Sequence, residues 1–515
     1  MRKFLAGALT LLTLLLVGGC GSFPPSRAVN IPQAAEETNQ QRQNPPGRGY
    51  RFRWAKCEYG NLPVEIDCGY LSVPVDRADP QSPRIRLAVT ILRAQGGETS
   101  AAPDPVLILS GQPGSAATLD IREWLESPLL NKRDIILMDL RGTGKSQPNL
   151  NCPELEEDNP GDVKALQACR KRLGKENIAL DQYTSAQSAA DLNDLRQALG
   201  YESWNVMGIS YGARVALTLL RDFPEGIRSV VLDSVYPPEV NIFEEQAVNA
   251  AQAIQAFFTA CHQDAECAFT YPDLEQVFGD LLISLDKNPR QVMVADPRTG
   301  EVQMVALDGN RMAGLIMEAL NTPETLARVP YLIYETQYGN DHAIAGLMFA
   351  GSSNGATLTP EQAKEIRRAF AEGAYYSLIC AEEAAFNDPK TAESAAREAG
   401  SPLAERFYSE VRALFERCQA WNVKAAKSIE TQAIASPVPA LLLSGEYDPL
   451  TPTRWAQIAA HGLPDSKVLV FPAVGHRVLN LGVCPQGIVA EFIANPVTPL
   501  DDSCINDLQV EYWLP

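Results

Sequence analysis

The chain has 515 residues, 45% of them hydrophobic, enough to bury one large core with an insertion, or two domains. Its formal net charge is -19, from 44 Lys+Arg against 63 Asp+Glu, which argues against binding a nucleic-acid backbone and against broad attachment to anionic lipid. Four histidines and the lack of any C-x2-C pair give little support for a zinc site, so no metal is expected.

In chain order, Met1-Arg2-Lys3, an apolar run from Phe4 to Val17 and Gly18-Gly19-Cys20 read as a signal peptide over 1–19. The apolar part is too short to cross a bilayer. The cysteine after two small residues resembles a bacterial lipoprotein signal, with cleavage before Cys20 and lipid on its thiol; an ordinary secreted protein is the alternative. Gly21, where an aspartate is absent, resembles lipoproteins sent to the outer membrane. The expected location is therefore the cell envelope, lipid-anchored and facing the periplasm. Residues 20–50 carry Pro24-Pro25 and Pro45-Pro46 with almost no apolar periodicity, as a flexible tether would.

Removing Cys20 from 11 cysteines leaves ten, an even number that suits disulfides in an exported chain. Sequential pairing would be Cys57–Cys68, Cys152–Cys169, Cys261–Cys267, Cys380–Cys418 and Cys484–Cys504, although other pairings remain open.

Residues 51–236 read as the first part of an α/β core. Cys57 to Val75 and Ile85 to Leu92 suggest antiparallel strands. Continuous apolar strands follow at 105–110, 134–140, 204–210 and 227–233, separated by helical segments, the pattern of a mostly parallel sheet covered by helices on both faces. Residues 237–432 are rich in Ala, Glu, Gln and Leu at helical spacing, with strand-like interruptions at 291–294 and 302–305; they predict an inserted helical cap. Strand signals return at 438–445 and 467–471, so residues 433–515 form the second part of the core, with a C-terminal tail packed on it.

The chemistry centres on Gly208-Ile209-Ser210-Tyr211-Gly212, which joins a strand to a helix. A serine on such a tight turn is presented clear of the sheet as a nucleophile. It needs a base, and the base needs an orienting carboxylate. His476 lies just past the last strand; His262, His342 and His461 sit in a cysteine loop, the cap and a helix end. Asp448, in Gly445-Glu446-Tyr447-Asp448, stands 28 residues before it, with Glu446 as a rival and Asp233 as an unusual variant. The Tyr211 backbone N–H is one expected oxyanion donor, and the loop Ser110-Gly111-Gln112-Pro113-Gly114 supplies another. Gly142-Thr143-Gly144-Lys145-Ser146 lacks the glycine a phosphate loop needs five positions before Gly144, where Asp139 stands; it reads as a bracing loop.

Together these motifs resemble the proline iminopeptidase and tripeptidyl aminopeptidase family of α/β-hydrolases, over roughly residues 50 to 505. The resemblance implies an α/β-hydrolase fold, Ser210 as nucleophile, Asp448 orienting His476, Gln112 and Tyr211 as oxyanion donors, no cofactor, and cleavage of peptides from a free N-terminus. The family's loop reads His-Gly-Gly-Pro-Gly, whereas Ser110 and Gln112 stand at its first and third places here. If the third place needs a positive φ, glutamine is strained where glycine is not. Glu382 and Glu383 are candidate partners for a substrate ammonium, with a solvated helix face as the plain alternative. An esterase for small acyl esters is the second functional reading, and a non-catalytic envelope interaction protein the third. Partners are thus a peptide or small molecule and, through the lipid, a membrane.

Overall fold

The computed structural model describes residues 51–60, 62–96, 101–155, 162–295, 302–348 and 369–514. The expected signal peptide, the tether and Cys20 lie outside the described residues.

Eleven strands are assigned: β1 (Arg51–Ala55), β2 (Ile66–Pro74), β3 (Arg84–Leu92), β4 (Val106–Leu109), β5 (Ile135–Met138), β6 (Trp204–Ile209), β7 (Ile227–Asp233), β8 (Arg290–Ala295), β9 (Val302–Leu307), β10 (Ala440–Gly445) and β11 (Ser466–Phe471). Nine form one sheet in the order β1-β2-β3-β5-β4-β6-β7-β10-β11. The β1–β2, β2–β3 and β3–β5 pairs are antiparallel and the others parallel. This is the α/β-hydrolase arrangement, a mostly parallel sheet flanked by helices.

The burial of each strand follows its place in the sheet. Every residue of β4, β5, β6 and β10 is buried, because helices cover both faces. β2 alternates, with only one face on the core. Successive residues of the central strands go to opposite cores: Leu107, Leu109, Val206, Val230 and Leu442 to one, Val106, Ile108, Met207, Val231 and Leu441 to the other. That is the two-residue period of a strand made into two layers.

The segment between β7 and β10 is mostly helical, as its spacing predicts, and the β8–β9 hairpin accounts for the strand-like interruptions. It has a core of its own around Phe257, Phe278, Leu281, Met312 and Ile316. Tyr447, from the loop after β10, is inserted into that core against Phe257, with ring centroids 5.6 Å apart. The cap is therefore keyed to the loop that carries Asp448. The tail packs on the core as expected through Leu500, Cys504, Ile505 and Leu508, and only its end continues to the cap, where the Trp513 N–H donates to the Ala327 carbonyl at 2.9 Å and the Tyr271 hydroxyl donates to the Trp513 carbonyl at 2.5 Å. All five sequential disulfides are present. Cys380–Cys418 spans 38 residues and ties the turn bearing Glu382 and Glu383 to the helix Pro402–Trp421.

Candidate active site

Ser210 sits between β6 and the helix Tyr211–Asp222 with φ 52° and ψ -117°. A positive φ is costly for a side-chain-bearing residue, and the surroundings must hold it. The Ser210 N–H donates to the Asp233 carbonyl at 2.8 Å, pinning the turn to β7. Glycine at 212 is obligatory: an added Cβ would stand 2.2 Å from the Leu109 carbonyl oxygen, so only a bare α-carbon lets the helix start against the end of β4.

His476 approaches from the loop after β11. Its Nδ1 lies 2.9 Å from Asp448 Oδ2 and 3.1 Å from Oδ1. Asp448 is fully buried, and it accepts from the Leu450 and Thr451 N–H groups, both at 2.8 Å, and from the Thr451 hydroxyl at 2.6 Å. Burial alone would raise its pKa, but His476 and these donors hold it below the ordinary value. Burial likewise opposes a charged His476, and the Asp448 carboxylate overrides it, so the histidine's pKa is raised. Thr451, 3.3 Å from His476 Nδ1, is a positioning residue that the motif reading missed; a hydroxyl residue three places after the acid, in Asp448-Pro449-Leu450-Thr451, is the one signal for it.

Neither rival takes the place of Asp448. Asp233 accepts from the N–H groups of Val478 and Leu479 at 2.9 and 3.1 Å, so it clamps the loop just beyond His476. The carboxylate that meets the histidine is Asp448, both of whose oxygens reach Nδ1, and not Glu446. His262 lies between the bonded Cys261 and Cys267, as the cysteine spacing predicts, and lines a separate groove.

Ser210, Tyr211, Gln112 and His476 line one cavity of about 590 Å³, together with Phe243, Ile379, Leu414 and Leu450. Asp120 is the one carboxylate among the described residues on its wall, and Arg477 is on the wall beside His476. Asp120 Oδ2 accepts from the Ser110 hydroxyl at 3.0 Å, and burial followed by the neighbouring Glu123 raises its pKa.

Two expectations require correction. Neither Glu382 nor Glu383 is on the cavity wall. Glu382 accepts from the Ser185 N–H at 2.6 Å and hydroxyl at 2.7 Å and lies 3.4 Å from Arg214 Nε; Glu383 Oε1 lies 3.3 Å from Arg214 Nη1. Arg214 belongs to the helix that follows Ser210, so the pair serves to lock the cap to that helix. A buried guanidinium needs such anions, and they are consumed by it. Burial pushes the Glu383 pKa up to about 7, against the opposing Arg214 charge.

The second correction concerns the oxyanion donors. The Tyr211 N–H donates to the Gly111 carbonyl at 3.1 Å. In a trans peptide the N–H points opposite to the C=O, so the Gln112 N–H is directed away. The two donors are in place along the chain, but this conformation does not assemble them. The Gly142–Ser146 loop, in turn, is braced as expected: the buried Asp139 carboxylate accepts from the Thr118 N–H at 2.9 Å and the Lys145 N–H at 2.8 Å.

Residues 104–269 match the model of the alpha/beta hydrolase fold and residues 401–504 that of TAP-like proteins. Serine protease Hip1 of Mycobacterium tuberculosis is 24% identical over 500 residues, covering 88% of this chain and 91% of its own. Putative hydrolase YuaR of Escherichia coli is 29% identical over 250 residues, 44% of this chain and 48% of its own, about half of that relative's length. Tripeptidyl aminopeptidase of Streptomyces lividans is 29% identical over 206 residues, 36% of this chain and 38% of its own. The sheet and these matches make the chain an α/β-hydrolase related to the tripeptidyl aminopeptidase and proline iminopeptidase families.

Proposed function

We propose that the protein is a serine exopeptidase that cleaves peptides from a free N-terminus through an acyl-enzyme. The observation that carries this reading is His476 Nδ1 held 2.9 Å from a fully buried Asp448, with His476 and Ser210 on the wall of one cavity. Asp448 fixes the tautomer that leaves Nε2 free to accept the Ser210 hydroxyl proton. Ser210 Oγ then bonds the substrate carbonyl carbon, and the proton passes from Nε2 to the departing amine as the C–N bond breaks. Water deacylates the serine by the same route in reverse.

The free amine is the finer part of the proposal. An ammonium beside the apolar wall of Phe243, Ile379, Leu414 and Leu450 needs a carboxylate, and Asp120 offers one in the same cavity. Asp120→Asn is expected to raise KM for free-amine peptides about tenfold or more while leaving N-acetylated peptides unchanged. Equal effects on both would remove Asp120 from amine recognition. The same apolar wall also suits a small acyl ester, so a panel of aminoacyl amides, N-blocked peptides and acyl esters decides the substrate class, and turnover of esters alone would reject the peptidase reading.

Export and lipid attachment at Cys20 belong to the same proposal, supported by the basic and apolar N-terminal pattern and the even number of remaining cysteines. Mass spectrometry of the protein from envelope fractions should find a diacylglyceryl-modified Cys20 at the mature N-terminus; an unmodified or retained leader would refute it.

A further inference from the structure

We infer that the Gly111–Gln112 peptide is a gate on the oxyanion site, held shut by the β-carbon of Gln112. The inference rests on Ser210 being the nucleophile.

In the closed arrangement the Gly111 carbonyl oxygen occupies the Tyr211 N–H, 3.1 Å away, the place where the oxygen of a tetrahedral intermediate would be bound. Rotating this one peptide unit corrects both defects at once. The carbonyl leaves the Tyr211 N–H, and the Gln112 N–H swings toward the vacated position, because the two groups point in opposite directions.

The flanks confine the motion to that unit. On one side, the Ser110 hydroxyl is tied to Asp120 at 3.0 Å. On the other, the Gln112 carbonyl accepts from the Ser115 N–H at 3.1 Å, closing a turn with Pro113 second and Gly114 third at φ +87°. Proline followed by a positive-φ glycine is the type II signature. The Ala371 N–H, from the cap, donates to the Gly114 carbonyl at 2.9 Å and holds that turn in place.

A peptide rotation changes ψ of the residue before it and φ of the residue after it. Gln112 is not among the residues with positive φ, so turning the peptide carries it toward that region. There the β-carbon of an L-residue crowds the backbone, whereas glycine moves freely. The opening cost is therefore set by the β-carbon of residue 112; the glutamine amide oxygen also accepts from the Ser115 hydroxyl at 3.4 Å, a contact that Q112A removes while keeping the β-carbon. Gln112 acts through its backbone and is a positioning residue.

Wild type, Q112A, Q112N and Q112G, with S210A as control, would be treated with an alkyl fluorophosphonate, whose phosphorus bonds Ser210 Oγ as fluoride leaves and whose phosphonyl oxygen takes the oxyanion position. Q112G should be phosphonylated about tenfold faster than wild type, with kcat raised and KM unmoved, while Q112A stays within about twofold and Q112N falls between. Crystal structures should find the Gly111 carbonyl on the Tyr211 N–H in wild type and turned away in Q112G. Acceleration by Q112A equal to that by Q112G would overturn the gate, since side-chain bulk would then be the cause. So would a Q112G crystal with the carbonyl still on Tyr211. If no variant is labelled yet the Q112G peptide is turned, the β-carbon's hold on the peptide stands, but the nucleophile reading falls and the gate's role at an oxyanion site falls with it.

Discussion

Replacing Ser210 by alanine is expected to lower kcat by about a million-fold, with KM and the unfolding midpoint nearly unchanged. The hydroxyl is the only atom removed, and alanine inherits the same φ of 52°, so the strained turn and its N–H bond to Asp233 are undisturbed. In the proposed mechanism Oγ is the atom that bonds the acyl carbon, and without it no acyl-enzyme forms. Steady-state hydrolysis of whichever peptide or ester the panel identifies provides the measurement. An alanine variant that lost turnover but kept the protein's cellular role would favour the non-catalytic envelope protein.

Asp448→Asn is expected to lower kcat by about ten-thousand-fold, and to move the pH profile. An asparagine can donate to Nδ1, which favours the tautomer with the proton on Nε2, and that nitrogen then cannot accept from Ser210. The sign of the pH effect follows from the charge. His476 must be neutral to act as base, so kcat/KM rises with pH through its pKa and falls away below it. Burial works against the imidazolium but the Asp448 carboxylate outweighs it, placing that midpoint above the ordinary histidine value. Removing the carboxylate charge leaves burial unopposed, and the residual activity should therefore titrate at lower pH than wild type. A midpoint that did not move, or moved up, would show that Asp448 is not the group controlling His476.

The backbone of the fold was legible because its rules are local. Strands 106–109, 135–138, 204–209 and 440–445 are continuous apolar runs, and a strand with helices on both faces has no solvent side to mark. Ser210, Asp448 and His476 were legible for a related reason: each follows the end of a strand and stands in a short motif. Scarce histidines left few rivals. The structure brings His476 and Asp448 into contact over a separation of 28 residues, as their order along the chain implied.

Glu382 and Glu383 were not legible. Two glutamates beside a cysteine look the same in sequence whether they face a cavity or a guanidinium. Their partner Arg214 lies 168 residues away from Glu382, and only packing of the cap on the nucleophile helix brings them to 3.4 Å. Asp120 has the opposite history: nothing in its neighbours marks it, and it becomes a cavity carboxylate because the loop after β4 turns it toward Ser110. The end of the tail, too, found the cap rather than the core, through Trp513 and Tyr271, which are 242 residues apart.

What the sequence determined by itself was the order of strands and helices and the identity of the groups that could form a catalytic triad, since periodicity, loop length and motif spacing are properties of neighbours along the chain. Tertiary structure alone decided which carboxylates meet the cavity, which are consumed by Arg214, and that the Gly111 carbonyl rests on the Tyr211 N–H. Those outcomes depend on the direction of a side chain or of a single peptide, and that direction is set by contacts with residues distant in sequence.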